Sequence, residues 1–176
     1  LSHLRRDRPR IFCFLGSTIG NMTRQEATEF LRGLSEEMAT GDSLLLGLDM
    51  VKDKNVLERA YNDDQGITAR FNKNVLNVVN RHLRTSFDPS NFDHVAFYDE
   101  DLCRIEMHLR ARRPVDQESP FCDDQISLRE NETIHTENSH KFTTENVHNL
   151  AESAGLELVD QAKDNDEWFS VARMVK

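Results

Sequence analysis

The stretch LELVDQAKDNDEWFSVARMVK, Leu156 to Lys176, decides the fold. LELVDQAKD and EWFSVARMVK read as two strands joined at Asn165-Asp166, an antiparallel hairpin. Just before it, TTENVHNLAESAG predicts a helix capped by Thr143 or Thr144, with Val147, Leu150, Ala151 and Ala154 on one face and Gly155 closing it. At the other end of the chain, RIFCFLG, Arg10 to Gly16, is a short apolar run ending in glycine. It suits a strand buried on both faces of a parallel sheet. Thr23 and Glu26 then form a capping box, and Ala27, Phe30, Leu31, Leu34 and Met38 keep helical spacing up to Gly41. DSLLLGLDM is a second apolar strand, so the first fifty residues read as a βαβ unit. The chain is therefore expected to build a parallel sheet that closes in an antiparallel hairpin.

Between these halves, from Val51 to His140, the pattern changes. Val56, Leu57, Ala60 and Tyr61 predict a short helix, and Ile67, Phe71, Val75, Val78 and Val79 a longer one that stops near FDPSNF. HVAFYDEDLCRIEMHLRAR predicts two antiparallel strands around Asp99-Glu100-Asp101, and DQISLRENETIH can supply another. The organisation expected is a sheet domain over 1–50 and 141–176, with an α+β insertion over 51–140. RRPVDQESPFCDD reads as a flexible loop.

The 176 residues suffice for one domain with a substantial core. With 31 Asp+Glu against 22 Lys+Arg, the net charge of -9 opposes general nucleic-acid binding, which needs a basic surface. The cluster Arg5, Arg6, Arg8 and Arg10 reads as a solvated lead-in to the first strand. No apolar run approaches the roughly 20 residues that span a bilayer, so no membrane partner is expected. Cys13, Cys103 and Cys122 are odd in number and lack CxxC spacing, which favours a reduced, cytoplasmic setting over a disulfide framework.

Chemistry concentrates in ETIHTENSHKF, Glu132 to Phe142. A metal site would take His135 and His140 with Glu137 or His148, but histidines five apart fit neither helical nor strand ligand spacing. Glu137, Ser139 and His140 are the residue types of a triad, yet no G-x-S-x-G elbow presents the serine, and 140 points away from 137 and 139 in an extended segment. Recognition remains. Glu137 and Ser139 on one face supply an acceptor and a donor/acceptor, suited to a ring with two N–H groups or to an amine. From the segment alone the plainer alternative is favoured: a salt bridge for Glu137 and a capping role for Ser139. GSTIGN, Gly16 to Asn21, sits where a strand gives way to a helix, the position at which open α/β sheets bind ligands, though it is neither GxGxxG nor a P-loop. Tyr61 and Met107 carry no signal individually.

Together, FLGSTIGN, LLLGLDMVKD, AYNDDQGITARFNKNVL, FYDEDLCRIEMHL and ETIHTENSHKF resemble the histidine-specific methyltransferase family of ergothioneine biosynthesis, in unbroken order over nearly the whole chain. The resemblance implies a class I, Rossmann-like methyltransferase sheet with a substrate-binding insertion. It implies S-adenosylmethionine as cofactor, no metal, and L-histidine as the substrate, trimethylated on its α-amino group. Gly16 and Asn21 would then face the amino-acid end, with Tyr61 holding the carboxylate from the other side. Met107 would pack near the imidazole. In the TENS motif Glu137 and Ser139 would hydrogen-bond the imidazole nitrogens, with Asn138 also among the substrate-binding residues.

The resemblance also implies that the glycine-rich cofactor loop and the ribose-gripping acidic residue belong to strands that nothing before Arg10 can supply. The expectation is a carboxyl-terminal portion of the enzyme, with cofactor contacts upstream of Leu1, no assigned catalytic residue, and self-association through the edge left at RIFCFLG. Two rivals stand beside it: a related methyltransferase for another amino acid or amine, and a non-catalytic binding module.

Overall fold

In the computed structural model, residues 8–121 and 125–176 are described. They divide into two compact units. The first comprises Leu1–Lys52, Asp101–Arg104 and Ser139–Lys176, the second Asp53–Glu100 and Ile105–Asn138. Arg5, Arg6 and Cys122 lie outside the described residues.

The first unit begins with β1 (Ile11–Phe14), a 3-10 turn (Thr18–Asn21), α1 (Arg24–Glu37) and β2 (Ser43–Asp49). Its α1 starts as the sequence predicts, with Thr23 and Glu26 making both bonds of the capping box. The helix stops at Glu37, four residues before Gly41, because Met38 turns extended and the Asp42 carboxylate takes the Ala39 N–H. Further along lie α4 (Thr144–Ser153), capped by Thr143, and the hairpin of β8 (Glu157–Lys163) and β9 (Phe169–Val175). The sheet order is β1-β2-β9-β8. β1 pairs parallel with β2, whereas β9 enters antiparallel to both β2 and β8.

One apolar core joins the inner faces of this unit: Leu44, Leu46 and Leu48 of β2, Ala172 and Met174 of β9, Leu31 of α1, and Val147 and Ala151 of α4. At roughly 25 cal/mol per Å² of buried apolar surface, this continuous cluster is the main source of stability. Arg10 departs from its expected role as a solvated lead-in. Its guanidinium donates to the buried Asp42 carboxylate at 2.6 and 3.0 Å and to the Glu37 carbonyl at 2.7 Å, tying the start of β1 to the end of α1. That guanidinium holds the Asp42 carboxyl far below the usual carboxylate range, with the Ala39 N–H adding to the effect. β1 is also less covered than a doubly buried strand. It lies at the sheet edge among the described residues, and Ile11 is 68% exposed.

The second unit holds α2 (Lys54–Tyr61), α3 (Ile67–Leu83), β3 (Phe92–Asp99), β4 (Arg104–Ala111), β5 (Val115–Gln117), β6 (Ile126–Leu128) and most of β7 (Thr133–His140). β3, β4 and β7 form one sheet, and β5 pairs with β6, so part of the expected flexible loop is a short ribbon. Two small clusters replace the single core. Leu76 of α3 packs with Phe87, Phe92, Leu109 and Ala111. Leu57 of α2 packs with Tyr98, Ile105 and Met107.

The expected inner face of α3 is rotated. Asn72, Leu76 and Val79 face the unit's interior, while Ile67, Phe71, Val75 and Val78 are exposed. Asn72 explains the rotation. Its amide bonds the His94 ring at 2.9 Å and the His108 carbonyl at 3.1 Å, a polar anchor that turns the neighbouring apolar stripe outward.

Candidate functional site

In the sheet unit, the GSTIGN turn and the end of β7 are locked together. Gly16 has φ +81° and Ser17 φ 57°, so two consecutive residues adopt the left-handed region where the chain leaves β1. Ser17 is stabilised there by accepting the Asp49 N–H on its Oγ at 2.8 Å. Gly20 lies so close to β7 that an added Cβ would stand 2.8 Å from the His140 carbonyl oxygen, so only glycine fits. The His140 ring is buried, and its Nδ1 donates to the Gly20 carbonyl at 2.9 Å. Burial lowers the His140 pKa and outweighs the opposing effect of that carbonyl, so the ring serves as a neutral structural donor.

Beside this clamp runs a buried charge network. Lys141 is 0% exposed, and its Nζ contacts Asp49 Oδ2 at 2.7 Å and donates to Ser139 Oγ at 2.8 Å. Lys52 contacts the other Asp49 oxygen at 2.5 Å. The backbone of the same segment is fixed by the Lys141 N–H to the Cys103 carbonyl and the Phe142 N–H to the Asp49 carbonyl. Ser17, Asp49, Lys141 and Ser139 thus form one connected path from the turn to the end of β7. Sequence reasoning missed Asp49 and Lys141. Each is an ordinary charged residue in one dimension, and only the pairing of distant segments buries the lysine.

In the second unit, Tyr61 packs against the cluster that contains Met107, which is 3% exposed. These two residues, uninformative alone, are brought together. The His94 ring holds the Tyr61 backbone: its Nε2 donates to the Tyr61 carbonyl at 2.9 Å, which leaves Nδ1 to accept from Asn72. Glu137 and Thr136 line a cleft of about 200 Å³ with Phe71, Asn72, Val75 and Val78 of α3. Drug-sized pockets run roughly 300–1,000 Å³, so this one is scaled to a smaller group. Asn138 Oδ1 is a buried acceptor with no hydrogen-bond donor among the described residues.

Of the expected residues, Gly16, Asn21 and Ser139 belong to the sheet unit, and Tyr61, Met107, Glu137 and Asn138 to the second. The histidines of the motif separate. His140 is the clamp, whereas His135 stacks on His108 at 4.5 Å with the rings 13° from parallel. Glu106, His108 and His135 place ligand atoms within 4.8 Å of one another. However, lone pairs lie in the ring planes, and two nearly parallel rings direct theirs side by side instead of toward one point. The stack continues to Phe97, with ring centroids 5.5 Å apart.

The strand order, with antiparallel β9 between β2 and β8, makes this the sheet of a class I S-adenosylmethionine-dependent methyltransferase. The chain belongs to the histidine-specific, SAM-dependent methyltransferase family, which it matches over residues 1–176. It is 48% identical over 147 residues to the histidine N-alpha-methyltransferase of Mycolicibacterium smegmatis, covering 84% of this chain and 46% of that protein. It is 43% identical over 176 residues to the protein of the same name from Mycobacterium tuberculosis, covering 100% of this chain and 55% of that protein. An L-tryptophan methyltransferase of Psilocybe serbica is 31% identical, covering 85% of this chain and 42% of its own length. The chain thus spans about half the length of the relatives it matches.

Proposed function

We propose that the protein methylates the α-amino group of L-histidine with S-adenosylmethionine as donor, giving the trimethylated product. The observation that carries this reading is the clamp that joins the GSTIGN turn to the end of β7 in a family member. Asn21 and Tyr61 bind the substrate carboxylate, with Gly16 lining the amino-acid end. Met107 packs near the ring, and Glu137, Asn138 and Ser139 read it. A carboxylate bordering a small, largely apolar cleft supports a flat N–H-bearing ring as the ligand. The identity to a histidine enzyme, 48% against 31% for the tryptophan enzyme, favours histidine over a larger ring.

The described residues do not fit the cofactor. The turn after β1 directs its serine to Asp49 rather than offering a glycine-rich cradle. A second cleft, of about 250 Å³, is built by α1 and α4 from Arg24, Thr28, Asn146 and Leu150, not by strand ends. S-adenosylmethionine is therefore assigned to residues other than these, and the 176-residue chain alone should bind it weakly or not at all. The reaction requires no metal ion. In the described residues no helix is long and apolar enough to cross a membrane.

The test is incubation of the full-length protein with S-adenosylmethionine and a panel of free amino acids, read by mass spectrometry. Sequential addition of three methyl groups to histidine alone is expected, and a preference for tryptophan would transfer the protein to the rival reading. For the 176-residue chain, the exposed edge at β1 supports a two-fold dimer. Light scattering that gives a monomer at high concentration would remove this.

A further inference from the structure

Resting on the histidine reading above, we infer that Lys141 is a positioning residue for ring specificity: it sets the Ser139 hydroxyl as a hydrogen-bond donor to an unprotonated ring nitrogen of the substrate. Ser139 is the second-last residue of β7 and Lys141 follows its end, two residues on in an extended segment, so their side chains share a face. The lysine is wholly buried, and its Nζ donates to Ser139 Oγ at 2.8 Å while held by Asp49 at 2.7 Å. An ammonium group has donors only, so Ser139 must accept from it.

That contact breaks the symmetry of the serine. A hydroxyl ordinarily donates or accepts according to its partner. One that already accepts from a buried cation is polarised, which strengthens its O–H as a donor and opposes approach by a second N–H group. Glu137, two residues earlier, offers a carboxylate that can only accept. The two therefore ask different things of a ring: one N–H for Glu137 and one lone pair for Ser139. Neutral imidazole has both. An indole or pyrrole has the N–H alone. A Lys141 with a purely structural role would make no such distinction.

The path continues away from the substrate. Asp49 holds Lys141 with one oxygen and Lys52 with the other, and its N–H donates to Ser17 of the turn that carries Asn21. The direction of the Ser139 hydroxyl is thereby tied to a network anchored on β2, not to a mobile surface group.

The experiment uses the full-length protein with L-histidine and β-(2-pyrrolyl)alanine, whose ring has an N–H but no in-plane lone pair. Lys141→Met keeps most of the apolar stem of the side chain and removes its charged donor. It should reduce the preference for histidine over the pyrrole analogue roughly tenfold, the scale of one hydrogen bond to a charged or polarised group, mostly through KM for the amino acid. KM for S-adenosylmethionine should stay unchanged. Ser139→Ala should reduce the preference as much, and adding Lys141→Met to it should change the ratio by less than about twofold, since the lysine acts through the serine. Should Lys141→Met fail to fold by thermal melting, Lys141→Gln, which is uncharged and polar, carries the same expectation. An unchanged ratio in the lysine variant overturns the proposal, as does an equal further loss in the Ser139→Ala background. Absence of histidine methylation by the unmodified enzyme would instead remove the underlying reading before any variant is compared.

Discussion

The two units of this chain solve the same problem differently. The sheet unit buries one continuous apolar cluster and sets charged groups at its margins, each with a partner: Arg10 with Asp42, Lys141 with Asp49. The second unit divides its core into two small clusters and leaves an apolar stripe of α3 in the open. The difference follows from what each can bury. A four-stranded sheet with α1 and α4 against it closes over whole side chains, and a desolvated ion pair is tolerable there because it is paired and hydrogen-bonded. A three-stranded sheet carrying two helices has less interior, so polar anchors such as Asn72 and His94 set its geometry. The first unit is suited to holding a few side chains in fixed orientation. The second offers a small cleft lined by Phe71, Val75 and Val78 together with Asn72, Asn74, Thr136 and Glu137.

Core truncations test this contrast most severely. Leu46→Ala, at a fully buried position of β2, should cost about 3–5 kcal/mol, and Leu57→Ala, in the smallest cluster, about 2–3 kcal/mol, because a smaller cluster collapses more readily around a void. Urea unfolding of each variant gives both values, and equal costs would erase the distinction between the cores. Glu137→Ala in the full-length protein comes next. Losing a charged hydrogen bond should raise the histidine requirement by about 1.5–3 kcal/mol, with the cofactor requirement unaffected. Equal weakening of both ligands in calorimetry would make Glu137 a structural residue.

Acid should loosen the second unit at a defined place. Asp63 caps α3, accepting the Thr68 and Ile67 N–H groups, and these bonds lower its carboxyl pKa to about 2. A carboxyl whose pKa is depressed in the folded state stabilises it above the unfolded value of 3.8, and this contribution fades as pH falls from there through about 2. Hydrogen exchange at the first turn of α3 should accelerate over that window, and Asp63→Asn should flatten the dependence. The smallest effect is expected from Phe71→Ser. Phe71 is 65% exposed, and the substitution should change the stability of the 176-residue chain by less than about 0.5 kcal/mol. A larger loss would mean that the outward stripe is covered in solution.

The parts legible in the sequence are those with a local code. The Thr23–Glu26 capping box, the β1–α1–β2 unit and the closing hairpin all follow from spacings of two to four residues, and each forms where the pattern places it. The motifs GSTIGN and TENSHK were also visible, and their likeness to a known family gave the expected site residues. Tertiary structure decided which neighbours those motifs have. It paired Arg10 with Asp42 across 32 positions and His140 with Gly20 across 120. It selected the Asn72 face of α3 over the more apolar one beside it, since a buried amide must find its partners whereas an exposed phenylalanine forfeits less. It also turned Lys141 from an apparent surface charge into a wholly buried one. Periodicity reports how one element presents its faces. The burial of a charge depends on a partner brought from elsewhere in the chain, and only the assembled sheet supplies Asp49.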